Sequence, residues 1–192
     1  MNWTHGNVFA LAPSSCAVCE GAGFRQRTNL IKHGAPERVC NCVLRSIFRI
    51  CFERFQQCVA AQHRIGAVSL EHSGGKDTRK TYGRKNEEYI ADFCNLSKRY
   101  LTTTEYKLFS SHFLLGADWK LCCRQLGMSR GNFFHAVYRI EQKLGTVFAT
   151  LEPYGLYPVC EYFGKGDSRA EPCKLAHTKD SRILRPPLRK VA

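Results

Sequence analysis

Four of the eleven cysteines stand in two close pairs near the start of the chain. Two residues separate Cys16 from Cys19, and one residue separates Cys40 from Cys42. Thiolates are common ligands of Zn²⁺ in structural sites, and four of them complete a tetrahedral shell that leaves no position open for water. The spacing therefore predicts that Cys16, Cys19, Cys40 and Cys42 hold one Zn²⁺ with a structural role.

Two alternatives to this ligand set stay open. His33 lies between the pairs and can replace one cysteine, because the spacing of the second pair is tighter than usual. Alternatively, the four cysteines are buried separately and act as small apolar side chains. Gly21 and Gly23, which follow the first pair, favour the zinc interpretation, since a tight glycine turn lets backbone N–H groups point at the sulfurs.

A second set of polar side chains lies on a helix predicted to begin near Arg130. The apolar residues of this helix share one arc at 100° per residue: Phe133, Val137, Ile140, Leu144 and Phe148. The nearly opposite arc carries amide, imidazole and basic side chains: Asn132, His135, Arg139 and Lys143. An apolar back with a basic, amide-bearing front suits the major groove of DNA. We therefore predict DNA binding by Ser129, Arg130, Asn132, His135, Arg139 and Lys143; the alternative is an ordinary amphipathic helix with a solvated polar face.

Capping residues place a short helix in front of this one. Asp118 is predicted to cap the helix Trp119–Leu126. Gly127 ends it, because glycine takes the left-handed conformation without steric cost. Ser129 then caps the following helix. Two helices joined by so short a turn predict a helix-turn-helix.

Further helices and a hairpin precede this pair. A short hairpin with Gly34 and Pro36 in its turn is predicted between the cysteine pairs. After it, one helical stripe runs through Leu44, Ile47, Phe48, Cys51, Phe55 and Cys58. Arg45 and Arg49 lie outside that stripe, which predicts solvated surface positions or phosphate contacts.

Two more helices follow residue 85. Asn86 is predicted to cap one of them, with a buried stripe formed by Ile90, Phe93, Leu96 and Tyr100. Thr102 and Glu105 form a capping box that opens another, with an inward side formed by Tyr106, Phe109, Phe113 and Leu114.

Two resemblances to known families follow from these segments. A cysteine knuckle, a hairpin and a helix that carries ligands at its start resemble a treble-clef zinc finger. Residues 101–145, above all the stretch LGMSRGNFFHAVYRIEQKL, resemble region four of bacterial sigma factors, where a helix-turn-helix reads a promoter element. This resemblance covers about a quarter of the chain. It implies that Arg130, Asn132, His135 and Arg139 face DNA.

The charge and the composition agree with a nucleic acid as partner. The chain has 29 Lys and Arg against 16 Asp and Glu, a formal net charge of +13. Such an excess favours a polyanion, with nucleic acid first and an anionic membrane surface second. No apolar run approaches the ~18 residues of a membrane span, and the N-terminal residues lack the positive charge of a signal peptide. We expect a cytoplasmic, nucleoid-associated protein without a membrane partner.

Together these patterns predict a mainly α protein that combines a small N-terminal zinc module with a sigma-like helix-turn-helix domain. The predicted divisions are 1–70 for the zinc module and its helix, 71–85 for a basic linker, 86–163 for the helix-turn-helix domain, and 164–192 for a flexible basic tail. The predicted function is sequence-specific, non-enzymatic regulation of transcription, with double-stranded DNA and RNA polymerase as partners. A zinc-containing protein-interaction adaptor and a zinc enzyme acting on nucleic acid are the alternatives, and the closed set of cysteines disfavours the enzyme.

Overall fold

The computed structural model of the chain describes residues 8–25, 38–68, 78–151 and 155–163. His33, the hairpin turn with Gly34 and Pro36, residues 71–77 of the predicted linker and the predicted tail 164–192 lie outside these ranges. The fold is mainly helical, as the sequence predicts.

A small hairpin joins the two cysteine pairs. Strand β1 (Phe24–Arg25) pairs antiparallel with strand β2 (Arg38–Val39), so that Phe24 faces Val39 and Arg25 faces Arg38. Helix α1 (Asn41–Val68) follows directly after Cys40. The predicted order of knuckle, hairpin and helix is therefore confirmed.

The remaining elements are helices, and three of them begin directly after the predicted caps Thr102, Asp118 and Ser129. They are α2 (Thr78–Tyr100), α3 (Thr103–Phe109), a π-helical turn (Ser110–Leu114), α4 (Trp119–Leu126), α5 (Arg130–Thr150) and α6 (Val159–Phe163). Thr102 and Glu105 form the predicted capping box at α3. The Asp118 carboxylate accepts from the Leu121 N–H at 2.7 Å. Gly127 has φ 62° and Ser129 accepts from the Asn132 N–H, so these caps are confirmed as well.

The core is one hydrophobic cluster to which α1, α2, α3, α5 and α6 all contribute. Every apolar residue predicted for the buried sides of α1 and α5 is buried. Phe48 of α1, Phe93 of α2 and Phe148 of α5 meet at its centre, with ring centroids 5.1–6.4 Å apart. Stacked and tilted ring contacts of this kind add stability beyond burial alone.

Helices α1 and α5 approach each other backbone to backbone at Gly145. A Cβ atom on Gly145 would lie 1.9 Å from the carbonyl oxygen of Leu44. A glycine is therefore required at this crossing, because any side chain would meet main-chain atoms of α1 that cannot rotate away.

The helix predicted to start at Asn86 begins eight residues earlier, at Thr78, so the prediction that Asn86 is its N-cap is wrong. Asn86 is 2% exposed, and its side-chain oxygen lies 3.4 Å from the Cys58 sulfur, which donates to it. Tyr89 and Ser97 are also buried, with hydroxyls that donate to the carbonyls of Cys51 and Phe93. Of the predicted stripe, Phe93 is buried and Ile90 and Leu96 pack partly buried against the core. The prediction missed the three polar residues, because they satisfy their hydrogen bonds inside the core.

Arg49 occupies the exposed position predicted for it, with 47% of its side chain accessible, whereas Arg45 is half-buried. Both pair with Glu141 of α5, which is 5% exposed, at N–O distances of 2.6 Å and 3.3 Å. The Arg45 guanidinium also lies 4.1 Å over the ring of Tyr138. A carboxylate can be buried here because two guanidiniums compensate its charge.

Candidate functional site

The four predicted metal ligands come together in space. The sulfurs of Cys16, Cys19, Cys40 and Cys42 all lie within 4.8 Å of one another. The Cys16–Cys40 distance is 3.9 Å and the Cys19–Cys42 distance is 3.5 Å. A tetrahedron with Zn–S bonds of about 2.3 Å has edges of about 3.8 Å. The donor set and its spacing therefore suit a four-thiolate metal centre.

Left-handed backbone shapes the first half of this cluster. Glu20, Gly21 and Gly23 have φ values of 49°, 87° and 80°. The Glu20 and Ala22 N–H groups close tight turns on the carbonyls of Cys16 and Cys19, at 2.8 Å and 2.7 Å. These turns place Cys16 and Cys19 side by side, as the glycine spacing predicts.

Close packing also requires a glycine at position 23. A Cβ atom there would lie 2.4 Å from the Val8 side chain and 2.9 Å from the Val8 carbonyl oxygen. The Gly23 carbonyl accepts from the Cys40 N–H at 2.8 Å. This bond and the adjacent strand pairing hold the second pair against the first, and Cys42 follows in the first turn of α1.

Local electrostatics shift the pKa values of Cys16, Cys40 and Cys42 in different directions. The backbone N–H of Val18 donates to the Cys16 sulfur, with a further contribution from the Cys19 N–H, and the pKa of Cys16 falls to about 7. Burial raises the pKa of both Cys40 and Cys42. A divalent cation favours the thiolate form of every ligand, because its charge outweighs the cost of burying the anion.

The predicted DNA-facing residues lie on one exposed side of α5. Asn132, His135 and Arg139 are exposed, and their helical neighbours Phe133 and Ile140 are fully buried. Glu141, the one acidic residue of α5, is buried against Arg45 and Arg49. The exposed surface of α5 therefore carries no negative side chain.

Arg130 and Lys143, at the two ends of this surface, have partners within the protein. The Arg130 guanidinium lies 5.1 Å from the Trp119 ring and 5.8 Å from the Phe134 ring. Trp119 was not among the predicted site residues. The sequence signal that could have found it is its position directly after the cap Asp118, at the start of α4.

Lys143 is half-buried and forms an ion pair with Glu105 of α3, at 3.0 Å. Burial opposes ionisation of this carboxyl, but the Thr102 N–H and the Lys143 ammonium hold its pKa below the ordinary value. The capping box identifies Glu105 in the sequence. The local sequence pattern does not predict its ion pair with Lys143, which lies 38 residues away. Of the predicted face, Lys143 is the residue least free to meet a ligand.

Comparison of the chain with protein-family models, with curated proteins and with solved structures gives no match. Among the helices of the described residues, none has both the length and the apolar composition that crossing a bilayer requires. The function is therefore argued from the cysteine cluster and from the exposed side of α5.

Proposed function

We propose that this protein is a sequence-specific DNA-binding regulator of transcription. In this proposal α4, its turn and α5 form a helix-turn-helix, and α5 lies in the major groove. The observation that supports this proposal is the difference between the two sides of α5. One side is buried and apolar, and the other is exposed and bears an amide, an imidazole and guanidiniums without any carboxylate. A surface of this composition is attracted to phosphate and can hydrogen-bond to base edges.

Four residues at the start and along the exposed side of α5 have distinct roles in this proposal. The Arg139 guanidinium can donate two hydrogen bonds to O6 and N7 of guanine, and the Asn132 amide can pair with adenine. Ser129 and Arg130 stand at the helix start, where backbone N–H groups and a cation suit phosphate. Stacking on Trp119 restricts Arg130 and so lowers the entropy lost when it binds.

The cysteine cluster is proposed to hold Zn²⁺ in a structural role. Four thiolates fill a tetrahedral shell, so no coordination position is left to activate water. This argues against the zinc enzyme. The proposal places the protein in the cytoplasm with the nucleoid, and RNA polymerase is the second partner expected of a sigma-like regulator.

Arg139→Ala and Asn132→Ala test base reading by α5. Duplexes are first selected from a random pool by the wild-type protein, and binding is then measured by fluorescence anisotropy on selected and scrambled duplexes. Each variant is expected to lose about 1–3 kcal/mol of binding free energy on the selected duplex and little on the scrambled one. The loss is specific because a base contact is made only at the matching sequence.

Arg99→Ala is the matched control, since it removes one exposed positive charge from the end of α2. It is expected to weaken binding to both duplexes alike, and Lys143→Ala should do the same. Should Arg139→Ala and Asn132→Ala also leave the ratio of specific to nonspecific affinity unchanged, α5 does not read bases and the proposed function is wrong.

A further inference from the structure

The hairpin beside the cysteine cluster has one apolar and one cationic face. Facing residues of an antiparallel pair project from the same side of the ladder, and successive residues alternate. Phe24 and Val39 pack against the core. Arg25 and Arg38, the next facing pair, are exposed on the opposite side. Four residues thus place two guanidiniums next to each other in solvent.

This arrangement is unfavourable for the protein alone. Cβ atoms of directly facing residues lie about 4.5–5.5 Å apart, and like charges at such positions destabilise a strand pair. Within the described ranges, neither Arg25 nor Arg38 has an ion pair with a carboxylate. By contrast, the arginines next to the cluster on α1, Arg45 and Arg49, both form an ion pair with the single carboxylate of Glu141. A negatively charged ligand would therefore relieve the repulsion between the Arg25 and Arg38 guanidiniums.

We propose that the Arg25–Arg38 pair is a second nucleic-acid contact, which grips the phosphate backbone independently of base sequence. A phosphate group between two guanidiniums accepts forked hydrogen bonds from both, and it replaces their repulsion by attraction. This inference rests on the proposed function for the class of partner, but it uses a different surface.

The structure favours a nucleic acid over a lipid surface for this pair. The apolar residues of the two strands, Phe24 and Val39, are turned towards the core, so the outward face of the strands has no apolar side chain to insert into a bilayer. The cysteine turn and the bond from Cys40 to Gly23 hold the hairpin in place, which lowers the entropy cost of gripping a rigid backbone.

The test is the salt dependence of binding to one 24-bp duplex. The double variant Arg25→Gln/Arg38→Gln removes both guanidiniums that hold the phosphate, and the slope of log K against log salt should become shallower by about 0.9, the value for one phosphate. Affinity should fall by the same factor on selected and scrambled duplexes. The control Lys98→Gln/Arg99→Gln removes two exposed charges from the end of α2 and should change the slope less.

Arg38→Glu separates binding from folding, because it places opposite charges across the strand pair. It is expected to keep or raise the melting temperature while it lowers duplex affinity. If the hairpin variants lose no more affinity than the control, the inference is wrong. It is also wrong if the hairpin variants lose affinity for phosphatidylserine vesicles but not for the duplexes. If the α5 variants keep their specificity ratio while the hairpin variants still flatten the salt slope, base reading fails and the phosphate contact stands.

Discussion

Replacing Cys40 with Ser is expected to release the bound metal and to unfold the segment around the cysteine cluster. A serine hydroxyl does not replace a thiolate ligand, and structural Zn²⁺ contributes about 10–16 kcal/mol to the folding of small zinc modules. Residues 8–25 contain two strand residues and otherwise little regular structure, and Val8 and Leu11 are their only buried apolar side chains in the core besides the cluster residue Cys19, so we expect the metal to hold much of this segment. This is the largest effect that we expect from one substitution.

Elemental analysis and circular dichroism measure this outcome. The wild-type protein should contain about one Zn²⁺ per chain and lose secondary structure when a chelator is added, whereas Cys40→Ser should contain none. Cys160→Ser is the matched control, because Cys160 is half-buried and lies outside the cluster. A wild-type protein that is fully folded without metal would contradict the assignment.

Gly145→Ala is expected to destabilise the fold by about 3 kcal/mol or more, at the upper end of the range for overpacked sites. The new methyl group would meet the carbonyl oxygen and carbon of Leu44 at 1.9 Å and 2.7 Å. Leu44 lies in the first turn of α1, where the helical backbone fixes its main-chain atoms, so α1 and α5 must separate. Their separation would weaken the aromatic contacts around Phe148 and the pairing of Glu141.

Gly131→Ala is the control, since it makes the same change in the same helix where no atom lies within 4 Å of the new Cβ. Alanine is a better helix former than glycine, so this variant should be unchanged or more stable by up to about 1 kcal/mol. Chemical denaturation of both variants measures the difference. Equal stabilities would show that α1 and α5 do not cross at Gly145.

Local chemistry explains why much of α4 and α5 was predictable. Asp118, Gly127 and Ser129 each act through bonds or backbone angles within a few residues, and the period of α5 separates its two sides without reference to the rest of the chain. The cysteine cluster was predictable for a similar reason. Residue type and short spacing already limit where two thiols can point, although the contact between the two pairs needs the hairpin.

Contacts between distant segments were not predictable from these patterns. Arg45 pairs with the Glu141 carboxylate, which lies 96 residues away in sequence, so the pattern of α1 alone predicts a solvated position for Arg45. Asn86 looked like a cap because asparagine is common at helix starts, whereas its buried partner Cys58 belongs to another helix. Both errors come from polar residues whose partners are supplied by tertiary packing.

The crossing of α1 and α5 has a consequence for how such sequences can diverge. Glu141 is tolerated inside the protein only while Arg45 and Arg49 neutralise it, and an apolar set of similar volume can replace the whole group. Substitutions at these three positions should therefore occur together in homologous chains, while position 145 stays glycine opposite the backbone of residue 44. This correlated pattern, together with the two cysteine pairs, can identify distant homologues whose overall similarity has been lost.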